Sequence, residues 1–364
     1  MQAAVRASRR PPAGVSHQGS IWRCHQHARR PTRSARGSQS TSRSAISCSL
    51  PPYQPCGYVN PDHAAPEGMW CAPSFQLTET PEREVVREAV SGVPGAFHLR
   101  GVLGIDEAAR IVSLAERMGF VEAEEPTTSE DRQNDALSWA LHDSLCNTLS
   151  SRVLFALPST VRTYNGARGD AEVDEMERIE ETRRMLMGAG KDSTAMIRRA
   201  DGAPEGMHRL VGLNARCRIY RYAADGKQRF PPHFDDVWPG ARVFEQDGKC
   251  ELGYSGWTYA ASKEGKWAWQ TGDSVSHLTM LLYLNEGFSD GETALLSSED
   301  EPQGEVLISP TCGDALCFGQ TFRLGRDAVD DSQYAVLHEG LPVTGSHPKY
   351  VLRTDVLYEL PESS

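Results

Sequence analysis

The sequence predicts an α+β protein with helices packed on one side of an antiparallel barrel or sandwich. Three observations predict it. Helical periodicity is confined to the first half of the chain. Alternating, β-branched and aromatic segments dominate after Leu213. Gly, Pro, Asp and Asn punctuate those later segments at short intervals.

In chain order, residues 1–80 are rich in Pro, Gly and Ser, lack a hydrophobic period, and read as a disordered basic presequence and linker. The folded domain is expected over 90–364. Gly95-Ala-Phe-His-Leu-Arg-Gly-Val-Leu103 reads as a first strand. A helix follows, with Asp106 as N-cap and Gly119 as its stop. Its apolar positions Ala109, Ile111, Val112, Leu114, Ala115 and Met118 recur at helical spacing. A second helix is expected over 137–157, ended by Pro158. Residues 164–205 read as a charged insertion, with 170–184 a solvated helix. From Leu213 the strands are Arg216-Cys-Arg-Ile-Tyr-Arg-Tyr222, 276–284, 306–308, 315–318 and 350–358. No internal repeat is present.

A chain of 364 residues, 39% hydrophobic and 24% charged, suffices for one large or two ordinary domains. Its mean hydropathy is −0.48. The longest apolar runs, such as 278–284, fall far short of the ~20 residues a bilayer demands, so no membrane span is expected. The net charge of −11 is unevenly placed. Nine arginines and no acidic residue precede Asp62, which leaves −20 on the remainder. So acidic a body repels phosphates and argues against nucleic acid as a partner.

The arginine- and serine-rich, acid-free start has the composition of an organelle transit peptide and lacks the apolar core of a secretory signal. Ser content and the Ser-Ala-Ile-Ser-Cys48 stretch favour a plastid over a mitochondrion. A basic arm that binds an acidic partner is the competing reading. The nine cysteines are odd in number and form no Cys-x-x-Cys, which excludes a disulfide framework or a structural zinc pattern.

The chemistry centres on His233-Phe-Asp235. Residues i and i+2 of a strand share a face, so an imidazole and a carboxylate are presented side by side. A second histidine completes a two-His, one-carboxylate set that leaves three positions open on Fe(II). His277, His338 and His347 are candidates. His338 is favoured by the cations downstream of it: Lys349 and Arg353 fall on one face of the last strand, with Val351 and Asp355. A cation there suits the far carboxylate of a dicarboxylate, an attraction on the order of 4 kcal/mol before desolvation.

These residues carry a resemblance. Arg218-Ile-Tyr-Arg-Tyr-Ala-Ala-Asp-Gly226 leads into Phe230-Pro-Pro-His-Phe-Asp235. Leu278-Thr-Met-Leu-Leu-Tyr-Leu-Asn285 precedes Asp290-Gly-Glu-Thr293. Residues 306–318, His338-Glu-Gly-Leu-Pro-Val-Thr-Gly345 and Lys349-Tyr-Val-Leu-Arg-Thr-Asp-Val356 come next. In that order, from Gly95 to Tyr358, the chain resembles the 2-oxoglutarate/Fe(II)-dependent dioxygenases of the prolyl 4-hydroxylase catalytic-domain type. The resemblance implies a double-stranded β-helix, or jelly roll, with supporting N-terminal helices. It implies His233, Asp235 and His338 as iron ligands. Lys349, with Arg353 as second choice, would hold the distal carboxylate of 2-oxoglutarate. Tyr222 would hydrogen-bond that co-substrate, and Tyr283 and Thr293 would line its pocket. Fe(II), 2-oxoglutarate, O₂ and ascorbate are the implied requirements.

The chain departs from the family at Asp290-Gly291-Glu292-Thr293, in the spacing from His338 to Lys349, and in a Trp- and Gly-containing insertion over 237–273 on the expected substrate side. Two substrate classes therefore stand: a peptidyl residue, or a small molecule or free amino acid. Trp238, Trp257 and Trp267 in an open groove would favour the peptide. A non-catalytic jelly-roll binding protein is the alternative from another class, and a cupin-type enzyme with a different metal a further one.

Overall fold

The computed structural model describes residues 52–59, 68–93, 95–122, 133–165, 194–199, 206–254, 258–261, 267–270, 274–296, 305–320 and 335–359. All belong to one compact unit, Leu50–Ser364. The arginine-rich start, the charged run 170–184 and Trp257 lie outside the described residues, as does the side chain of Trp267.

The core is three layers deep. A large sheet is the middle layer. Its central strands are Arg216–Tyr222, Lys349–Glu359, Val275–Tyr283 and Ala315–Gly319, each antiparallel to the next. Two helices, Ile105–Met118 and Asp143–Val153, cover one face. Ile111, Leu114, Leu145 and Leu149 pack there with Leu278, Met280, Leu282, Leu352 and Val356. The other face carries Tyr220, Tyr222, Leu281, Tyr283, Leu316, Phe318 and Val351 in a second cluster. A four-stranded sheet closes over it, in the order Phe230–His233, Leu337–Gly340, Thr293–Leu296, Val306–Ile308. Layers on both faces explain why Val275–Tyr283 is buried at every position and why its sequence does not alternate cleanly. Among the described residues, no helix is long and apolar enough to cross a membrane.

The first helix stands close to its expected bounds. Gly104 rather than Asp106 is the N-cap, and the Glu107 side chain accepts from the Gly104 N–H at 3.1 Å. Gly119 ends the helix at φ 90°.

Other expectations are corrected. The folded unit reaches well upstream of residue 80, because Gln54–Val59 and Met69–Cys71 are strands of the large sheet. Pro55 and Gly57 mask the first strand, and pairing on both sides outweighs their poor propensity. The helix expected over 137–157 is a strand, Asp135–Ala140, followed by the shorter helix Asp143–Val153. The strand pairs with Arg216–Tyr222, and its burial on both faces mimics a helical apolar pattern. The ends of the charged insertion are parallel strands, Thr160–Asn165 and Thr194–Arg199. Within the insertion placed on the substrate side, Ala241–Gln246 and Lys249–Tyr254 form a hairpin that extends the far edge of the large sheet by pairing with Gln54–Val59.

Candidate metal centre and its pocket

The site lies between the two sheets, and strand register builds it. In the small sheet, His233 and His338 are directly opposed partners on neighbouring antiparallel strands. That places their side chains about 5 Å apart at the Cβ atoms. Asp235 lies two residues past His233, beyond the end of its strand. One ligand atom from each of the three lies within 4.8 Å of the others. Asp235 Oδ1 is 3.8 Å from His233 Nε2, and Oδ2 is 3.6 Å from His338 Nε2.

Both imidazoles are aimed by local hydrogen bonds. His233 Nδ1 lies 2.7 Å from the Pro231 carbonyl oxygen and His338 Nδ1 lies 2.9 Å from that of Val336. With Nδ1–H donating, each Nε2 is an unprotonated lone pair facing Asp235, the tautomer a metal takes up. Phe230 stacks on His233 at 3.7 Å between ring centroids, and Phe318 packs on His338 at 4.4 Å. Desolvation lowers the His233 pKa to about 3, assisted by the neighbouring His338 ring, and lowers that of His338 as well. Burial by itself would raise Asp235. The Arg353 guanidinium, the two imidazoles and the Thr279 hydroxyl overcome it and bring that carboxyl down to about 2. Two neutral imidazoles and one ionised carboxylate on adjacent positions are a donor set that fits Fe(II) with open coordination sites.

The large sheet supplies the wall facing this group. Alternate residues of three adjacent strands point into the pocket: Tyr220 and Tyr222; Lys349, Val351 and Arg353; and Leu281. Lys349 is 1% exposed, with Nζ 2.6 Å from the Gly291 carbonyl oxygen and 5.1 Å from the Tyr222 ring centroid. No carboxylate among the described residues lies within ion-pair distance of it. Burial lowers its pKa to about 7. Gly291 follows Asp290, and both take positive φ, 75° and 59°. This tight turn points the 291 carbonyl at the ammonium, and a Cβ at 291 would meet Val343 at 2.8 Å. Gly340 has a parallel role: a Cβ there would lie 2.8 Å from the Tyr222 hydroxyl.

The residues expected from sequence thus divide. His233, Asp235 and His338 converge, and Lys349, Tyr222 and Thr293 line the same pocket. Tyr283 is buried on the same face of the large sheet, its ring 5.7 Å from Lys349 Nζ, and donates to Thr293 Oγ1 at 2.9 Å. Arg353 also lines the pocket, but its Nη2 is 3.0 Å from Asp235 Oδ1 and 3.6 Å from Asp355 Oδ1, so its charge is already matched. The other histidines considered lie elsewhere. His277 meets His208 at 3.2 Å, and His347 is bonded to Ser346. Sequence reasoning missed Phe230 and Phe318 as packing partners of the imidazoles. It also missed Thr279, whose hydroxyl donates to Asp235 Oδ2 at 2.8 Å. Strand alternation through Leu281 and Tyr283 contains the signal for Thr279; no local pattern singles out the partners beyond it.

Solved structures similar to this chain include three prolyl hydroxylases. The viral collagen prolyl hydroxylase of Paramecium bursaria Chlorella virus-1 is 15% identical, with a TM-score of 0.31 over 73% of this chain and 96% of that one. A Pseudomonas putida prolyl-4-hydroxylase is 14% identical, with a TM-score of 0.33 over 72% and 91%. A Trichoplax adhaerens prolyl hydroxylase, solved with a hypoxia inducible factor oxygen degradation domain peptide fragment, is 13% identical, with a TM-score of 0.33 over 72% and 83%. No family model matches the chain, and no curated protein matches it. At these TM-scores the likeness carries no argument about the reaction, and the functional reading rests on the site.

Proposed function

We propose that the chain is a non-haem Fe(II)- and 2-oxoglutarate-dependent dioxygenase on a double-stranded β-helix fold. One observation carries the reading. His233, Asp235 and His338 converge on one pocket, and the same pocket holds the buried amine of Lys349, with no described carboxylate within ion-pair distance and Glu292 acting on it only from further off. A non-catalytic binding module has no use for two imidazoles locked with Nε2 facing a carboxylate. A cupin-type ligand set is richer in histidine than this one.

Iron held by His233, Asp235 and His338 would, with 2-oxoglutarate and O₂, supply oxidative decarboxylation coupled to hydroxylation of a C–H bond. The chain's own residues do the rest. Lys349 binds the distal carboxylate of 2-oxoglutarate, ahead of Arg353, whose guanidinium is occupied by Asp235. Tyr222, on the wall beside Lys349, and Thr293, held by Tyr283, flank the same carboxylate. Phe230, Leu281, Val351 and Phe318 keep water from the imidazoles and strengthen every charge interaction inside.

The sequence resemblance to prolyl 4-hydroxylases directs the proposal to a peptidyl residue as the substrate, with a small molecule or free amino acid as the second reading. Ascorbate is proposed as the reductant that maintains Fe(II). The basic start is proposed as an organelle address, a plastid before a mitochondrion.

The test is succinate formation by the full chain from 2-oxoglutarate with Fe(II) and ascorbate, beside a His233→Ala variant. Slow turnover by the native chain, absent in the variant, is the expected result. Absence of both turnover and calorimetric binding of Mn(II) would overturn the reading and favour a non-catalytic module.

A further inference from the structure

Asp235 is held by a polar chain that the metal-site reading does not use. Both of its oxygens are engaged: Oδ1 by Arg353 Nη2 at 3.0 Å, and Oδ2 by the Thr279 hydroxyl at 2.8 Å. Since the hydroxyl proton goes to the carboxylate, Thr279 Oγ1 is left as an acceptor, and Gln320 Nε2 donates to it at 3.0 Å. Gln320 Nε2 also donates to Asp355 Oδ1 at 2.7 Å. The amide oxygen of Gln320 accepts from Ser276 Oγ at 2.6 Å, and Ser276 Oγ accepts from the Trp238 N–H at 2.7 Å. Asp355 closes the circuit, because its Oδ1 lies 3.6 Å from Arg353 Nη2.

Every member except Trp238 and Arg353 is buried, and Thr279, Ser276 and Gln320 have no exposed surface. The chain begins on a main-chain N–H, which can only donate, and ends on an ionised carboxylate, which can only accept. Each hydroxyl and amide between has one direction available to it. Within the hydrogen-bonded run from Trp238 N–H to Asp235, each link holds the next, and losing one member strands its partner without a hydrogen bond; Arg353 joins that run only as an ion pair. Apart from the Trp238 N–H, which follows Asp235 in the chain, the members come from three segments: the Val275–Tyr283 strand, the residue after Ala315–Gly319, and the Lys349–Glu359 strand. Asp235 itself lies past the end of the Phe230–His233 strand. Its carboxylate is held by Thr279 and Arg353 of the opposite sheet.

We propose that Thr279 and Gln320 are positioning residues for Asp235, holding the carboxylate in the orientation in which it joins His233 and His338. The proposal rests on the metal-site reading and deepens it. Outer hydrogen-bond partners of metal ligands typically govern affinity by about 10- to 100-fold.

The experiment measures Mn(II) affinity of the full chain by calorimetry, with no turnover involved. The variants are Thr279→Val, Thr279→Ser and Gln320→Leu. Thr279→Val keeps the side-chain volume but loses the donor to Asp235, and should weaken Mn(II) binding about 10- to 100-fold. Thr279→Ser restores the hydroxyl and should recover most of the affinity, which a simple packing role for the methyl group would not allow. Gln320→Leu should weaken binding in the same direction, with a cooperative thermal transition confirming that the variant is folded. Native affinity in Thr279→Val, or equal loss in Thr279→Ser and Thr279→Val, would overturn the proposal while leaving the metal site standing. Failure of the native chain itself to bind Mn(II) would overturn the metal-site reading and this proposal with it.

Discussion

Arg353 and Asp235 form a 3.0 Å ion pair on the pocket wall, while Lys349, four residues earlier on the same strand face, meets only the Gly291 carbonyl oxygen among its described polar contacts. Strand alternation alone puts both cations on one face and does not rank them. In the fold one is matched to a candidate metal ligand and the other is available to an anion from outside.

Lys349 therefore carries a cost that a ligand relieves. Below about pH 7 folded and unfolded chains both hold the ammonium, and its burial penalty is felt in full. Between about 7 and 10.5 the unfolded lysine retains a proton that the folded one has lost, so stability rises with pH across that window. Lys349→Met should remove this rise and increase stability below pH 7 by on the order of 3 kcal/mol, read from urea melts at several pH values. The same variant should lose 2-oxoglutarate binding. Unchanged stability with native binding would remove Lys349 from the anion site.

Binding of a dicarboxylate should be linked to protons through the same ammonium. At pH 8 most Lys349 side chains are neutral before binding. Docking a carboxylate there restores the charge, so the native chain should take up nearly one proton per N-oxalylglycine bound, measured by calorimetry in buffers of different ionisation enthalpy. Uptake that persists in Lys349→Met would assign the proton to another group.

The imidazoles should hold metal into mild acid. His233, with a pKa lowered to about 3 by burial, stays neutral well below the pH at which an exposed histidine is protonated. Mn(II) affinity should change little between pH 7.5 and 5.5. Phe230→Ala opens the stacked face of His233 to water and should make affinity fall steeply below pH 6.5. A steep fall in the native chain would show that burial does not control these rings.

The helical layer has its own anchor. Arg152 is 2% exposed and donates to Glu107 at 2.8 Å from two nitrogens and to the Val102 carbonyl oxygen at 2.9 Å. Burial alone would raise Glu107, but the guanidinium and the Gly104 N–H bring it down to about 2. That pair's contribution is present above about pH 4.5 and is lost as pH falls towards 2. Arg152→Met should cost about 3–5 kcal/mol at neutral pH, because it leaves a buried carboxylate unpaired. A loss below about 1 kcal/mol would show that the carboxylate finds water instead.

Much of the site is legible because strands write their geometry locally. Lys349, Val351 and Arg353 alternate, so they can be assigned to one face without knowing the fold; the same rule pairs His233 with Asp235, although the strand stops at His233 and Asp235 reaches the site from the residues after it. His338 is found through the cations downstream of it. The illegible parts depend on distance along the chain or on neighbours. Residues 135–140 look helical because both faces of that strand are covered, which erases the alternation. Gln54–Val59 is a strand by virtue of its partners, with Pro55 and Gly57 arguing against it. Gln320 touches Thr279 and Asp355 from 41 and 35 residues away, and a lone glutamine after a strand carries no mark of that.

The acceptors that orient His233 and His338 are the carbonyl oxygens of Pro231 and Val336, each two residues upstream of its ring. Main-chain atoms survive every point substitution. Drift elsewhere in the pocket can retune which co-substrate or target enters while ring orientation is inherited unchanged. An engineer altering selectivity can therefore leave the histidines to their own backbone and spend mutations on the facing wall.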